Sequence, residues 1–204
     1  MKTSRLEAFS DGVLAIIITI MVLELKVPTQ HELADLLHSA GVGLLTYLLS
    51  FVYVGIYWNN HHHTFQLVRQ VSGGVMWGNL GLLFCLSLFP FTTAWLDQST
   101  FARTPVIIYG LNLLCAAIAY FVLQRIIIRQ EGPESPLRQA IGVDLKGKIS
   151  PLLYVTGILS ALLIDPNGHV GVAIALACYV TVSILWIVPD RRIDRLARQY
   201  GTPE

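Results

Sequence analysis

Ionisable and hydroxyl side chains stand at the head of the first apolar run of this sequence, where they could bind an ion or relay a proton. Arg5, Ser10 and Asp11 precede residues 12–23, a run without a charge. Charged groups at the edge of a membrane cost free energy, and they usually mark an ion or proton pathway or a structural polar network. The chemistry of this segment therefore depends on what Asp11 faces.

Two later apolar runs carry polar groups at the ends that should lie at the same membrane face. The second run ends in Trp-Asn-Asn-His-His-His at residues 58–63, and Asn79 lies about one turn into the third. A buried carboxylate needs donors such as an imidazole or amide N–H. We therefore expect Asp11 to face inward and to be the anchor of a network with His61, His62 and Asn79.

The three consecutive histidines do not favour a metal site. Successive residues of a helix point ~100° apart, so the imidazoles cannot converge on one ion without unwinding. No Cys or Glu follows at the spacing that would complete a ligand set. No metal or cofactor is predicted. A proton relay remains open, because histidine titrates near neutrality, although a structural network is favoured.

Composition indicates a membrane protein built from helices. The chain has 204 residues, of which 54% are hydrophobic and 13% charged, and its mean hydropathy is +0.60. Six stretches are long and apolar enough to span a bilayer. The predicted fold is an all-α membrane protein, a single transmembrane domain over residues 1–204. Its six predicted helices cover approximately 6–26, 40–60, 75–96, 105–128, 149–164 and 169–188.

The first stretch resembles a secretory signal in position only. No small-x-small cleavage site follows it before Glu24 and Lys26, so we expect it to remain as a transmembrane helix. Pro90 lies inside the third stretch and should kink it. Cys85, Cys115 and Cys178 fall within apolar stretches and are interpreted as small packing residues.

The distribution of basic residues predicts the orientation. With six spans, only Lys26 and Arg103 lie on one side, and the other side holds all twelve of the remaining Lys and Arg together with both termini. The positive-inside rule therefore predicts cytoplasmic N- and C-termini. Because membrane topology accounts for the basic residues, and the net charge is only +1, nothing favours binding to nucleic acid. The basic residues on the predicted cytoplasmic side are Lys2, Arg5, Arg69, Arg125, Arg129, Arg138, Lys146, Lys148, Arg191, Arg192, Arg195 and Arg198.

The first helix carries an apolar stripe. At ~100° per residue, Thr19, Ile20 and Leu23 lie within about 60° of Ile16, and Asp11 lies about 140° away from it. A stripe of this kind in a membrane helix most often packs against lipid or other helices. It could also line a pore if several subunits met around it.

Three motifs in the first 95 residues resemble the transmembrane-protein-175 family of potassium channels. Arg5-x-x-x-Phe9-Ser10-Asp11 is similar to the RxxxFSD signature at the head of the first helix of that family. Trp58-x-x-His61-His62-x-x-Phe65 resembles the second helix of the family. Asn79 followed by Leu88-Phe89-Pro90-Phe91 resembles the third. The resemblance beyond residue 95 is limited to hydropathy and the number of spans.

The resemblance implies an architecture and a set of roles. Single-repeat prokaryotic members are homotetramers with six helices per subunit and cytoplasmic termini, which places this chain in the plasma membrane as a multi-pass protein. The first helix lines the pore in the family, and carrying that role over gives an apolar constriction at Ile16, Ile20 and Leu23 with a polar ring at Thr19. The signature residues implied to form a structural or gating network are Arg5, Phe9, Ser10, Asp11, Trp58, His61, His62 and Asn79.

We therefore predict a potassium-permeable cation channel with an apolar gate and a weak to moderate preference for K⁺ over Na⁺. Strong selectivity is not expected, because the span offers no ring of carboxylates and the chain lacks a TVGYG filter. K⁺ would pass through the pore and bind only transiently. An enzyme is not predicted, since no nucleophile and base share one depth. A secondary transporter or a proton-leak pathway remains the alternative.

Overall fold

A computed structural model describes residues 3–28, 31–142, 144–165 and 169–187. All regular secondary structure within these ranges is helical, which confirms the all-α prediction. The helices are α1 (Thr3–Leu23), α2 (Leu33–Gln66), α3 (Gly73–Ser87), α4 (Phe89–Gln98), α5 (Arg103–Glu131), α6 (Pro136–Ile141), α7 (Leu145–Leu163) and α8 (Val170–Ile187).

Five segments of the described chain are long and apolar enough to cross a membrane: α1, α2, α3 with α4, α5 and α8. The predicted fifth span corresponds to α7, which is not among the five. Its first turn carries Lys146 and Lys148, two residues that are costly in hydrocarbon. The sixth crossing and the sides of the termini stay predictions. Lys2 and the arginines beyond residue 187 lie outside the described residues.

The second helix is longer than its apolar stretch. It begins at Leu33, not near residue 40, and continues to Gln66. At its start the backbone N–H of Glu32 donates to Asp35 Oδ2 at 3.3 Å, and a carboxylate in the first turn also favours the helix dipole. Polar capping therefore extends α2 beyond the region that hydropathy marks.

The third predicted span, in which Pro90 was expected to cause a kink, is interrupted at Leu88, between α3 and α4. Pro90 follows within the first turn of α4, and because proline has no N–H it leaves a carbonyl of the preceding turn without its usual partner. The hydroxyl of Thr92 donates to Leu88 O at 3.1 Å and to Phe89 O at 3.3 Å. The carbonyl opposite Pro90 is that of Leu86, and it accepts instead from the backbone N–H of Leu88. The interrupted turn thus keeps its carbonyl paired, as membrane helices require.

Small residues bring α7 and α8 close together. A Cβ on Gly157 would lie 3.3 Å from Cα of Ala175, and one on Gly171 would overlap the carbonyl of Ser160. Close approach of backbones at glycine is typical of helix packing in membranes. Behind this pair, α5 supplies the centre of the core, where Tyr109 is fully buried.

The cysteines differ in exposure. Cys85 and Cys178 are half-buried and pack against the core, whereas Cys115 is exposed on α5. The packing interpretation therefore describes Cys85 and Cys178. Cys115 instead contributes a small apolar surface.

Candidate functional site

The first helix has one face bound into the fold and another that nothing covers within one subunit. The bound face packs against α2, α3 and α4. Ile16, Ile20 and Leu23 lie on the uncovered face and are 59%, 42% and 81% exposed, and Thr19 between them is also exposed. The buried residues of α1 are Leu6, Ser10, Leu14, Ile17 and Met21.

A buried hydrogen-bond chain holds the bound face of α1 against α3 and α2. Asn79 Nδ2 donates to Ser10 Oγ at 3.0 Å, and Asn79 Oδ1 lies 2.7 Å from His61 Nε2. Ser10 Oγ in turn donates to Leu6 O at 2.9 Å. All three polar side chains are at most 2% exposed, so each bond is made where water cannot replace it.

The direction of this chain follows from its members. Because Asn79 donates through its amide nitrogen, its oxygen accepts, and His61 Nε2 must carry the proton. The ring of His61 lies 4.4 Å from that of Phe65, centroid to centroid. At α1 this hydrogen-bond chain ends on the backbone carbonyl of Leu6, so it ties α1, α3 and α2 together.

Asp11 is not part of the buried hydrogen-bond chain. The prediction that Asp11 faces inward and contacts His61, His62 and Asn79 is therefore wrong. Its side chain is exposed and Oδ1 accepts a hydrogen bond from Trp58 Nε1 at 3.0 Å. Consecutive residues of a helix point ~100° apart. Since Ser10 faces α3, Asp11 is turned toward the groove between α1 and α2.

His62 also faces outward. Its Nδ1 lies 3.5 Å from Glu7 Oε1, and its Nε2 is 2.9 Å from Gln66 Nε2. Glu7 is a partner that the motif alone does not mark. The spacing of Glu7 and Asp11, four residues apart on α1, is the signal that both could meet the outer side of α2.

Arg5 and Phe9 extend the uncovered face toward the N-terminal end. Phe9 is 52% exposed. Arg5 is exposed, and among the described residues its side chain has no hydrogen bond or ion pair. The eight motif residues therefore fall into a buried chain, an outer Asp11–Trp58 pair, His62 beside Glu7, and two exposed positions.

A second polar cluster, which the motifs do not include, fixes the other end of α1. Ser50 of α2 lies 2.7 Å from Thr93 Oγ1 and 3.0 Å from Tyr109 Oη, and Thr93 in turn contacts Met21 Sδ at 3.9 Å. These hydroxyls satisfy one another where hydrocarbon would penalise unpaired groups. Sequence patterns gave little signal for it, because Ser and Thr occur singly in many membrane helices.

The uncovered stripe carries one polar group. Thr19 Oγ1 donates to Ile16 O at 2.8 Å, which leaves its oxygen lone pairs free to accept from water or to face a cation. The described residues contain no group of three His, Cys, Asp or Glu side chains placed to hold a metal.

Taken together, these features define a multi-pass α-helical membrane protein whose first helix is anchored on one side and bare on the other. Over residues 5–90 the chain matches the model of a family described as the endosomal/lysosomal potassium channel TMEM175. A relative from Chryseobacterium sp. (strain P1-3), described as a potassium channel, is 49% identical over 98% of this chain and 100% of its own. The chain belongs to the TMEM175 family, as its motifs predicted.

Other relatives and solved structures agree with this membership. The human protein described as the endosomal/lysosomal proton channel TMEM175 is 34% identical over 52% of this chain, which corresponds to 23% of the human protein. The crystal structure of a lysosomal potassium-selective channel TMEM175 homolog from Chamaesiphon minutus superposes with a TM-score of 0.75 and 28% identity. It covers 92% of this chain and 97% of its own.

Proposed function

We propose that four copies of this chain surround a potassium-permeable pore lined by the uncovered face of α1. The observation that carries the proposal is the contrast between the two faces of that helix. One is fixed by buried hydrogen bonds between Ser10, Asn79 and His61, whereas the other presents Ile16, which is 59% exposed. One helix cannot enclose a pore, so this face would line it only when subunits meet.

The proposed constriction consists of rings of Ile16, Ile20 and Leu23, with Thr19 hydroxyls between them. Apolar rings can close a pore by excluding water, and a small widening admits a hydrated cation. The described part of α1 has no acidic side chain between Gly12 and Leu23. We therefore propose a weak to moderate preference for K⁺ over Na⁺, set by Thr19 and the width of the rings.

We propose that α7 is the sixth crossing and that both termini are cytoplasmic, in the plasma membrane of a bacterial cell. α7 is 19 residues long, about 28 Å at 1.5 Å per residue, which approaches the thickness of the hydrocarbon core. Arg103 opens α5 and Arg129 lies in its last turn. Arg103 thus lies at the end of α5 on the side with few basic residues, and Arg129 lies at the end on the side with many. The positive-inside rule assigns the second side to the cytoplasm.

Flux into liposomes tests the pore assignment directly. Ile16→Asn wets the narrowest proposed ring, so we expect a several-fold rise in K⁺ flux and a smaller ratio of K⁺ to Na⁺ flux. Ile184→Asn on α8 is the matched control, because Ile184 is the same residue type and is 60% exposed. If Ile16 faced lipid, the two variants would behave alike.

The outcome that contradicts the proposal is unchanged flux in Ile16→Asn while the protein remains tetrameric by light scattering. A monomer or dimer that conducts K⁺ would contradict the assembly. Saturation at low turnover would point instead to a secondary transporter, which needs a substrate site near the middle of the membrane.

A proton pathway is the second candidate function. The vertebrate relatives are described as proton channels, and Glu7, Asp11 and His62 are titratable groups beside the head of α1. Acidification of liposomes under a proton gradient without K⁺ measures this activity. A proton flux that Glu7→Gln and His62→Gln leave unchanged would exclude these side chains from the pathway.

A further inference from the structure

A basic cavity opens among α5, α6 and α7 at the end of the bundle opposite Arg103. It has a volume of about 530 Å³. Arg125 and Arg129 line it from α5, Arg138 from α6 and Lys148 from α7. Four cationic side chains from three helices therefore surround one space.

The cavity lacks the carboxylates that would neutralise it. Asp144 is the single acidic residue among its lining side chains, and its Oδ1 accepts from the backbone N–H of Gly147 at 2.8 Å, which caps α7. Glu131 turns away, since its two carboxylate oxygens accept from Arg69 N at 3.1 Å and Ser135 Oγ at 2.8 Å. The space therefore carries an excess of positive charge that an anion would complement.

The four cations remain available to a ligand. Arg125 stacks over the ring of Phe121, 4.8 Å from its centroid, which fixes the guanidinium while leaving its N–H groups free to donate. Within the described part of the chain, none of the four cationic side chains forms an ion pair with a carboxylate.

The cavity adjoins a surface suited to acyl chains. Immediately before Arg125 on α5, Ile118, Phe121 and Val122 are 50%, 49% and 44% exposed. They belong to a helix apolar enough to cross a membrane, so this surface lies at the depth where lipid tails begin. A soluble anion could bind the cationic side chains, but it would leave the neighbouring apolar surface uncovered.

We propose that this cavity binds the phosphate headgroup of an anionic phospholipid, with its acyl chains along α5. Arginine suits this role because its planar guanidinium makes paired hydrogen bonds to phosphate. Basic pockets between membrane helices are known to hold anionic headgroups. The site is separate from the α1 stripe, so the proposal does not depend on where the pore lies.

Native mass spectrometry of the full chain in a neutral detergent tests the site with defined probes: phosphatidylglycerol, phosphatidylcholine and glycerol 3-phosphate. We expect saturable retention of phosphatidylglycerol alone. Each basic residue near a membrane surface contributes ~1 kcal/mol, or about fivefold in affinity. Arg129→Gln with Arg138→Gln should therefore weaken binding by more than tenfold, and Lys148→Gln alone by about fivefold.

Two further variants separate a built site from general attraction. Arg69→Gln removes a charge of the same type from an exposed position outside the cavity, so binding should be unchanged. Arg129→Lys with Arg138→Lys keeps the charge and should retain part of the affinity. The site would be overturned if Arg69→Gln weakened phosphatidylglycerol binding as much as the cavity variants do. It would also be overturned if the protein retained phosphatidylcholine as well as phosphatidylglycerol. Binding of glycerol 3-phosphate as tight as that of the lipid would overturn the lipid assignment.

Discussion

Replacing Asn79 by alanine should destabilise the protein more than any other single change to a motif residue. The side chain is fully buried and joins Ser10 to His61 through bonds of 3.0 and 2.7 Å. Interhelical hydrogen bonds in membranes contribute ~0.6–1 kcal/mol each. The imidazole N–H left without an acceptor costs a further ~1–3 kcal/mol, because His61 is only 2% exposed. The expected loss is about 2–5 kcal/mol.

Thermal unfolding of purified protein, followed by tryptophan fluorescence, measures this loss. For a chain of this length 1 kcal/mol corresponds to ~2–4 °C, so Asn79→Ala should lower Tm by about 4–20 °C. Asn59→Ala is the matched control, since Asn59 is half-buried, lies two residues from His61, and has no hydrogen bond of its side chain within the described residues. Equal shifts in the two variants would refute the buried chain as the anchor of α1.

Two other predictions concern contacts of single side chains. Gly110→Ala should cost ~1–3 kcal/mol and lower Tm, because its Cβ would collide with the hydroxyl of Tyr179; an unchanged Tm would mean that Tyr179 can move aside. Trp58→Phe removes the donor to Asp11 but keeps an aromatic ring, and since Asp11 is exposed the cost should stay below ~1 kcal/mol. Thermal unfolding measures both, and a large loss in Trp58→Phe would show that the Asp11 pair is buried by assembly.

Hydropathy predicted the helical class and most of the spans, because contact with lipid requires every membrane helix to carry mostly apolar residues. It could not predict helix ends that polar contacts determine. α2 continues outward past its apolar run, to an N-terminal cap at Glu32 and Asp35. α6 begins at Pro136, after an N-cap at Ser135, whose Oγ accepts from Arg138 N at 3.4 Å. Side-chain hydrogen bonds, not apolar content, determine both of these helix starts, so hydropathy carries no signal for them.

The candidate site was predicted in composition but not in arrangement. The motifs identified the polar residues of three helices, yet only packing decides which member of the Ser10–Asp11 pair turns inward. One sequence signal was available: Ser10 is four residues from both Leu6 and Leu14, so it shares their face of α1. The same periodicity identified the stripe of Ile16. The sequence reasoning placed Asp11 on the face that packs into the fold, whereas the centre of that buried face lies at Ser10.

The buried chain limits how a pore lined by α1 could open. Rotating α1 about its own axis would carry Ser10 away from Asn79 and leave the amide N–H of Asn79 without its acceptor in an apolar region, which costs ~1–3 kcal/mol. Asn79 would keep its bond to His61, and Ser10 its bond to Leu6 O. Tilting α1 together with α3 keeps that bond and still moves Ile16 relative to the other subunits. A gate of the proposed kind should therefore widen by movement of α1 and α3 as one unit, because the bond between Ser10 and Asn79 opposes rotation of α1 relative to α3.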